Sequence, residues 1–221
     1  LPPVNLRMIN SGSGQVTLNW SAQNDPIEAS AVPTSYRVYL SNDGFAFDDG
    51  RAASGASSHV ITGLAPGQTV FAKVTALNAG GESLASEVLC ARTPDAQAGT
   101  LPTPLLIVSG YDRYDEFTYY QQGSGLSTGD LHVRNTFDTV RRHALSAAKA
   151  NTVQGGTWHF DSCSNEAVIS GSVSLTSYAA VDWVLGNEST ADETFSATEQ
   201  SLVSAFRTGG GALLVKIGRA S

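Results

Sequence analysis

The sequence predicts two structural classes in one multidomain chain: an all-β sandwich over residues 1–94 and a doubly wound parallel α/β sheet over residues 105–221. The first part alternates apolar and polar residues in short runs separated by turns, which is the pattern of half-buried strands. The second part alternates continuous apolar runs with helical periodicity. Residues 93–104 hold three prolines, and they predict a stiff linker at 95–104.

Three runs in the first part carry the strand pattern. Residues 16–20, 36–40 and 70–77 each turn every second apolar side chain toward one face. In the last of these runs, Val70 and its alternate neighbours face inward, and Phe71 faces outward. Turn sequences rich in glycine separate the runs, at residues 11–14, 42–44, 66–67 and 78–81. Several short strands at this spacing predict a β-sandwich.

Local features of the first part match a known family: the pair Pro2 and Pro3, Trp20, and the segments 36–39, 63–67 and 74–83. On these features, residues 1–94 resemble a fibronectin type III domain. The position six residues after Leu64, where that family usually places a tyrosine, is Val70. The resemblance implies a spacer or a binding module. Trp20 and Tyr36 are expected as core aromatics, the alternative being a platform that stacks a sugar ring.

Four apolar runs in the second part predict parallel strands, at residues 105–109, 157–161, 178–185 and 212–215. Residues 134–150 repeat apolar side chains at three- and four-residue steps and predict a helix. A capping box at Ser196 and Glu199 opens a second predicted helix, which runs to Arg207. Strands that alternate with helices imply right-handed crossovers, so we expect ligands beyond the carboxyl ends of the strands.

Carboxylates follow three of these strands. The segments are 109–113, 161–166 and 186–193. Asp112, Asp161 and Glu188 are candidate catalytic residues, because two carboxylates at one sheet edge can act as acid and base on a glycosidic bond. The same acidic loops could instead bind Ca²⁺, cap helices or solvate the surface. No other cofactor is expected.

Serine and histidine provide a second kind of candidate. Ser127 lies in a Gly-x-Ser-x-Gly string, although no apolar strand precedes it as the hydrolase elbow requires. The candidate triad members are Ser127 or Ser162, His132 or His159, and Asp112 or Asp161. His143 falls on the predicted helix and is expected on the surface or in packing. The histidines show no metal-ligand spacing.

The order of elements after residue 105 resembles the class I glutamine amidotransferase-like fold, which is flavodoxin-like or Rossmann-like in layout. More narrowly, the segments 109–113, 161–168 and 181–194 resemble an α/β domain found beside fibronectin type III modules in large secreted bacterial proteins. Such proteins are labelled cell-wall amidases or polysaccharide lyases. The family's nucleophile lies in a Gly-x-Cys-x-Gly elbow, and Cys163 lacks those glycines.

The composition of the chain limits the classes of partner it can bind and indicates its cellular location. Twenty acidic against 13 basic residues give a formal net charge of −7, which argues against nucleic acid as a partner. No run of apolar residues is long enough to predict a membrane span. The charged content of 15% and the richness in glycine, serine and threonine, together with the resemblance, indicate an extracellular or periplasmic location.

The resulting prediction is a secreted modular protein with hydrolase activity of the glycosidase or esterase type. Its expected substrates and partners are extracellular cell-wall, polysaccharide or ester materials, with the fibronectin type III domain as a spacer. The alternative is a non-catalytic binding or scaffolding module, in which an amidotransferase-like domain has lost its nucleophile. Cys90 and Cys163 fall one to each part of the chain, so the sequence predicts two free thiols and no disulfide between them.

The carboxyl-terminal residues predict an incomplete α/β sheet. A fold of this kind normally continues through further strands after residues 212–215, whereas residues 216–221 are short and basic and read as a truncation or a foreign tail. An incomplete sheet exposes a strand edge. We therefore expect either a homodimer through that edge or its coverage by the loop at residues 111–133.

Overall fold

The structure is a computed structural model, and it describes residues 1–28, 30–95, 105–111, 121–122, 125–126, 139–154, 158–186 and 194–217. The strands are β1 Val4–Gly12, β2 Gln15–Ser21, β3 Ser35–Ser41, β4 Arg51–Ala52, β5 Ser58–Ile61, β6 Thr69–Asn78, β7 Gly81–Glu82, β8 Leu89–Arg92, β9 Leu105–Ser109, β10 Gln121–Gln122, β11 Gly125–Leu126, β12 Phe160–Ser164, β13 Ala180–Gly186 and β14 Ala212–Ile217. The helices are α1 Thr139–Gln154, α2 Asn165–Ile169 and α3 Ala197–Thr208, with a 3₁₀ turn at Leu175–Ser177.

The first part of the chain forms an antiparallel sandwich. Strands β1, β2 and β5 pair on one side, and β8, β6, β3 and β4 pair in that order on the other. Every second residue of these strands is buried between the two sides, as the alternation of the sequence predicts. The rings of Trp20 and Tyr36 lie 5.2 Å apart in this core, which confirms their expected packing role.

Four parallel strands follow, in the order β12-β9-β13-β14. Helix α1 lies in the β9–β12 connection and packs Val140 and Ala144 on one face of these strands. Helices α2 and α3 pack on the opposite face, where Phe206 joins the core. The capping box of α3 forms as predicted, with Ser196 N donating to Glu199 Oε2 at 2.7 Å. The doubly wound class of the whole segment 105–221 stays a prediction.

Several predicted boundaries differ from the observed ones. Strand β9 has the predicted bounds, whereas β12 begins three residues after the predicted start at residue 157. Asp161 and Ser162 therefore lie inside a strand, and the expectation that they follow its end is wrong. Helix α1 is described from Thr139 onward, and its predicted start at residue 134 lies outside the described residues. The predicted linker at 95–104 lies almost entirely outside the described residues.

Strand β12 joins the two parts into one continuous sheet system. One edge of β12 pairs with β9, and its other edge pairs antiparallel with both β1 and β8. The register places Cys163 opposite Arg7 and Ser162 opposite Met8. The sequence does not predict this pairing, because each strand's pattern records which face is buried and not which strand lies beside it. The parallel strands thus use the sandwich to cover one of their two edges.

A second apolar core lies between the sandwich and helix α1. Phe71 and Cys90 from the outer face of the sandwich contact Val140 and Ala144 of α1 and Phe160 of β12. The prediction that Phe71 faces outward is correct for the sandwich alone. Its side chain is nevertheless 0% exposed, because α1 covers it. This core fixes the helix to both parts of the chain.

The two cysteines are free and buried, as the sequence predicts. Burial raises the pKa of the Cys90 thiol to about 12, so the thiol stays protonated and unreactive. The backbone of Cys90 contacts the opposing strand: its N–H donates to Ser162 Oγ at 2.8 Å, and the Ser162 hydroxyl donates to its carbonyl at 2.6 Å. Ser162 thereby supplies hydrogen bonds that the β8–β12 ladder lacks at this point.

Replacing Ser162 by alanine is expected to lower the free energy of unfolding by about 1–3 kcal/mol, because the Cys90 N–H is left buried and unpaired. Chemical denaturation measures this change. Ser146→Ala, at an exposed position of α1, is the matched control and should shift stability by less than about 0.5 kcal/mol. Equal stability of the two variants would contradict the assigned role of the Ser162 hydroxyl.

Helix length and sheet edges bear on two further expectations. Among the described residues, no helix is both long and apolar enough to cross a membrane.

Strand β14 pairs with β13 on one side, and no described strand pairs with its other side. Leu214 on β14 is 60% exposed. The homodimer through an open sheet edge stays a prediction.

Candidate functional site

The sequence-predicted site residues divide between described and undescribed segments. Asp161 and Ser162 lie in β12. The other four candidates, Asp112, Ser127, His132 and Glu188, lie outside the described residues. Their predicted roles therefore stay predictions. All four belong to segments that leave the carboxyl ends of β9 and β13, which are neighbouring strands.

Asp161 is buried at the junction and is held by three hydrogen bonds. Its Oδ1 accepts from the backbone N and from Nδ2 of Asn10, each at 2.8 Å, and its Oδ2 accepts from the Tyr178 hydroxyl at 3.0 Å. Burial raises the pKa of this carboxyl to about 6, although these hydrogen bonds act in the opposite direction. A carboxyl with this pKa can both bind and release a proton near neutral pH.

Ser162 points to the opposite face of β12 from Asp161, as alternation along a strand requires. Its side chain is 0% exposed, and both of its hydrogen bonds go to the Cys90 backbone. The side chains of these two predicted catalytic residues therefore lie on opposite faces of β12 and do not meet. Asp161 lines a cleft, whereas Ser162 is closed inside the junction.

The cleft beside Asp161 has a volume of about 580 Å³. One wall is the outer surface of β1 and β2, and the other is the segment from Ser172 to Tyr178. Strand β12 forms the floor, so the cleft exists only because the two parts of the chain are joined. Clefts between structural units are a common place for ligand binding.

A second polar arrangement lies between helix α1 and the strands β9 and β13. His143 Nδ1 and Asp182 Oδ2 are 2.6 Å apart, with side chains that are 19% and 12% exposed. At the end of β9, the hydroxyls of Ser109 and Thr139 are 3.1 Å apart. Thr139 lies one helical turn before His143, so these four residues form a continuous polar strip.

The sequence does not predict this pair. Its pattern places His143 on the surface or in packing, and it places Asp182 in an apolar strand. The available signal was the carboxylate itself, because a charged residue inside a buried strand needs a partner. The identity of that partner depends on how α1 crosses β13, which no local pattern records.

The His143–Asp182 contact has a defined chemical consequence. A carboxylate that accepts from Nδ1–H holds the imidazole in the tautomer whose Nε2 carries a lone pair. Nε2 can then accept a proton from a water or a hydroxyl. Asp182 Oδ1 is buried and has no hydrogen-bond partner among the described residues, so His143 is the hydrogen-bond partner seen for this carboxylate.

No group of three histidine, cysteine or acidic side chains among the described residues is arranged to hold a metal ion. The acidic loops at 112–116 and 187–193, where the sequence suggests Ca²⁺, lie outside those residues. The Ca²⁺ alternative therefore stays untested.

Comparisons with known proteins concern the first part of the chain. The profile of the fibronectin type III domain matches residues 1–92. No curated protein sequence matches the chain. One similar solved structure is the sixth fibronectin type III domain of human fibronectin type III domain containing protein 3, at 22% identity and a TM-score of 0.38, covering 46% of this chain and 92% of that chain.

Two further solved structures are similar over the same part. A myokine structure has 19% identity and a TM-score of 0.35, and the match covers 42% of this chain and 96% of that chain. The FN1–FN3 domains of chicken CNTN1 have 14% identity and a TM-score of 0.35, covering 42% of this chain and 32% of that chain. From the profile match and the observed sandwich, residues 1–92 of the chain are a fibronectin type III domain.

Proposed function

We propose that the chain belongs to a secreted modular protein in which residues 105–221 form a doubly wound, amidotransferase-like hydrolase unit. Its substrates are esters, including those carried by extracellular cell-wall or polysaccharide materials, and the reaction is hydrolysis of the ester bond. The observation that supports this proposal is the 2.6 Å contact between His143 of helix α1 and Asp182 in the middle of β13. The fibronectin type III domain carries this unit and packs against its helix α1.

Strand order supports the position of the site. Numbered along the chain, the parallel strands run second, first, third, fourth, so the connections diverge between β9 and β13. Ligands of open α/β sheets bind at such a point of divergence. Ser109, which ends β9, and Asp182, within β13, lie on either side of it. The segments that contain Asp112, Ser127, His132 and Glu188 leave the same edge and would supply further groups.

The chemistry follows from the tautomer that Asp182 selects. His143 Nε2 removes a proton from a water, and the water oxygen forms a bond to the acyl carbon. The carbon–oxygen bond to the leaving group then breaks, and the imidazolium returns the proton to the departing oxygen. The products are a carboxylic acid and an alcohol. Ser127 would replace water as the nucleophile if its segment brings it to this edge.

One observation favours a second candidate function. Asp161 and Ser162, two of the six predicted catalytic residues, make their hydrogen bonds within the junction. A chain that uses these groups to hold two units together suits a non-catalytic binding or scaffolding module. In that case the α/β unit is an amidotransferase-like domain that has lost its nucleophile.

Turnover of p-nitrophenyl esters by the purified chain tests the first candidate. Replacing His143 by glutamine is expected to lower kcat/KM on the order of 100-fold or more, because the proton acceptor is lost. Asp182→Asn should lower kcat by a similar factor, since the histidine loses its orienting carboxylate. Ser146→Ala, an exposed position on the same helix, is the control and should keep full activity.

Parallel assays with p-nitrophenyl glycosides and peptidoglycan separate the substrate classes. Absence of turnover on all three substrates would overturn the hydrolase proposal in favour of the binding module. Turnover that survives His143→Gln, and is abolished instead by Asp112→Ala, Ser127→Ala or Glu188→Ala, would move the reaction to the residues predicted from the sequence.

A further inference from the structure

The cleft at the junction is separate from the His143–Asp182 pair. Asp161 lies on the face of the parallel strands that packs α2 and α3, whereas Asp182 lies on the face that packs α1. The proposed hydrolysis uses none of the residues that line the cleft. A ligand in the cleft would therefore contact groups that the hydrolysis does not use.

Most of the polar groups in the cleft are neutral hydroxyls and amides. They are Ser11, Thr17, Asn19, Ser172, Ser174 and Ser177. Such groups both donate and accept hydrogen bonds, as the hydroxyls of a sugar also do. They come from both walls of the cleft, so a ligand between the walls would be bound from two sides.

Two apolar side chains and one aromatic ring complete the surface. Ile9 lies on the sandwich wall, and Val173 and Tyr178 lie on the opposite wall. The hydroxyl of Tyr178 is held by Asp161, which fixes the ring in place. A fixed aromatic ring beside aliphatic groups offers a surface for the C–H face of a pyranose. Binding to a fixed surface loses little conformational entropy.

Arg7 is the basic residue of the cleft lining. It lines the cleft from β1 and is partly buried. None of the ion pairs found among the described residues involves its guanidinium. Asp161, the carboxylate in the same cleft, has its oxygens engaged by Asn10 and Tyr178. A guanidinium without a carboxylate partner in a lined cleft favours a ligand that carries its own carboxylate.

From these groups we infer that the junction cleft binds an acidic oligosaccharide, with Arg7 pairing a sugar carboxylate and Tyr178 contacting a pyranose ring. The hydroxyl and amide groups of the two walls bind the sugar hydroxyls. The Asp161 contacts with Asn10 and Tyr178 hold the walls in position before the ligand arrives. The site would keep an acidic polysaccharide on the protein whether or not the opposite face catalyses a reaction.

Isothermal titration calorimetry on the full chain tests the inference, with penta-galacturonic acid as the acidic probe and cellopentaose as a neutral probe of the same length. We expect the acidic probe to bind at least 10-fold more tightly than the neutral one. Arg7→Met keeps the aliphatic stem and should lower affinity for the acidic probe on the order of 10-fold or more. Arg142→Met, an exposed arginine on α1, is the matched control and should change nothing.

A second variant tests the same cleft without changing Arg7, in case Arg7→Met alters the fold. Thr17→Val removes one hydroxyl from the sandwich wall with little change of volume, and it should weaken both probes by a few-fold while thermal unfolding stays unchanged. His143→Gln should bind both probes normally, so a failure of catalysis does not imply a failure of binding. Equal affinity for both probes, no binding of the acidic probe, or unchanged affinity in Arg7→Met would each overturn the inference.

Discussion

Replacing Phe71 by alanine is expected to lower the free energy of unfolding by about 3–5 kcal/mol, because a fully buried aromatic side chain leaves a cavity that its neighbours fill only in part. The loss is not confined to the sandwich. Phe71 contacts helix α1 and β12 as well as Cys90 of its own domain. The variant should therefore loosen α1, and hydrogen exchange of the α1 amides should become faster.

Chemical denaturation, followed by tryptophan fluorescence, measures the loss. Phe45→Ala is the matched control, since Phe45 is 62% exposed and its removal should cost less than about 1 kcal/mol. Fast amide exchange restricted to the sandwich, with α1 protected as before, would show that Phe71 does not couple the two parts.

The buried carboxyl of Asp161 is expected to make stability depend on pH. Its pKa is raised from 3.8 to about 6 in the folded chain, so the folded state keeps a proton that the unfolded state has released between these values. The contribution of Asp161 to stability is therefore fully present below pH 4, decreases as pH rises toward 6, and is then constant. The difference is about 3 kcal/mol at most, since one pKa unit corresponds to about 1.4 kcal/mol.

Asp161→Asn isolates this effect from that of other titrating groups. The asparagine oxygen can still accept from Asn10, and its amide can donate to the Tyr178 hydroxyl in place of the lost bond. At pH 7 the variant should be more stable than the native chain by up to about 3 kcal/mol, and at pH 4 the two should be equal.

Denaturation curves at several pH values between 4 and 7 measure this difference. Asp49→Asn, at an exposed position of the sandwich, is the control and should differ from the native chain by less than about 0.5 kcal/mol. A stability difference for Asp161→Asn that does not change with pH would contradict the effect of burial on the Asp161 carboxyl.

Local patterns were sufficient to predict some of the elements. Strand β9 has the predicted bounds, because a continuous apolar run is a strong signal of a strand that is buried on both faces. The capping box at Ser196 was readable because all of its interactions lie within four residues. The fibronectin type III features were predicted for the same reason, since each is a short motif of strand or turn.

Contacts between distant elements were not predictable in the same way. Ser162 was read as a candidate nucleophile, and only its position beside Cys90 shows that it completes a strand pairing. His143 and Asp182 are 39 residues apart and meet because α1 crosses β13. Asn10 binds Asp161 across 151 residues. Pairs of this kind depend on the assembled topology, so they have no signature in either segment alone.

Because strand β12 is shared, neither part of the chain is expected to be stable when it is separated from the other. A part of a chain that is separated at a connecting segment stays soluble only if the cut exposes no strand edge and little apolar surface. A cut at residues 95–104 would expose the edges of β1 and β8 on one fragment and of β12 on the other, together with the aromatic surface of Phe71. Each fragment would therefore be prone to aggregation. The two parts are therefore expected to be soluble and stable only when they are expressed together.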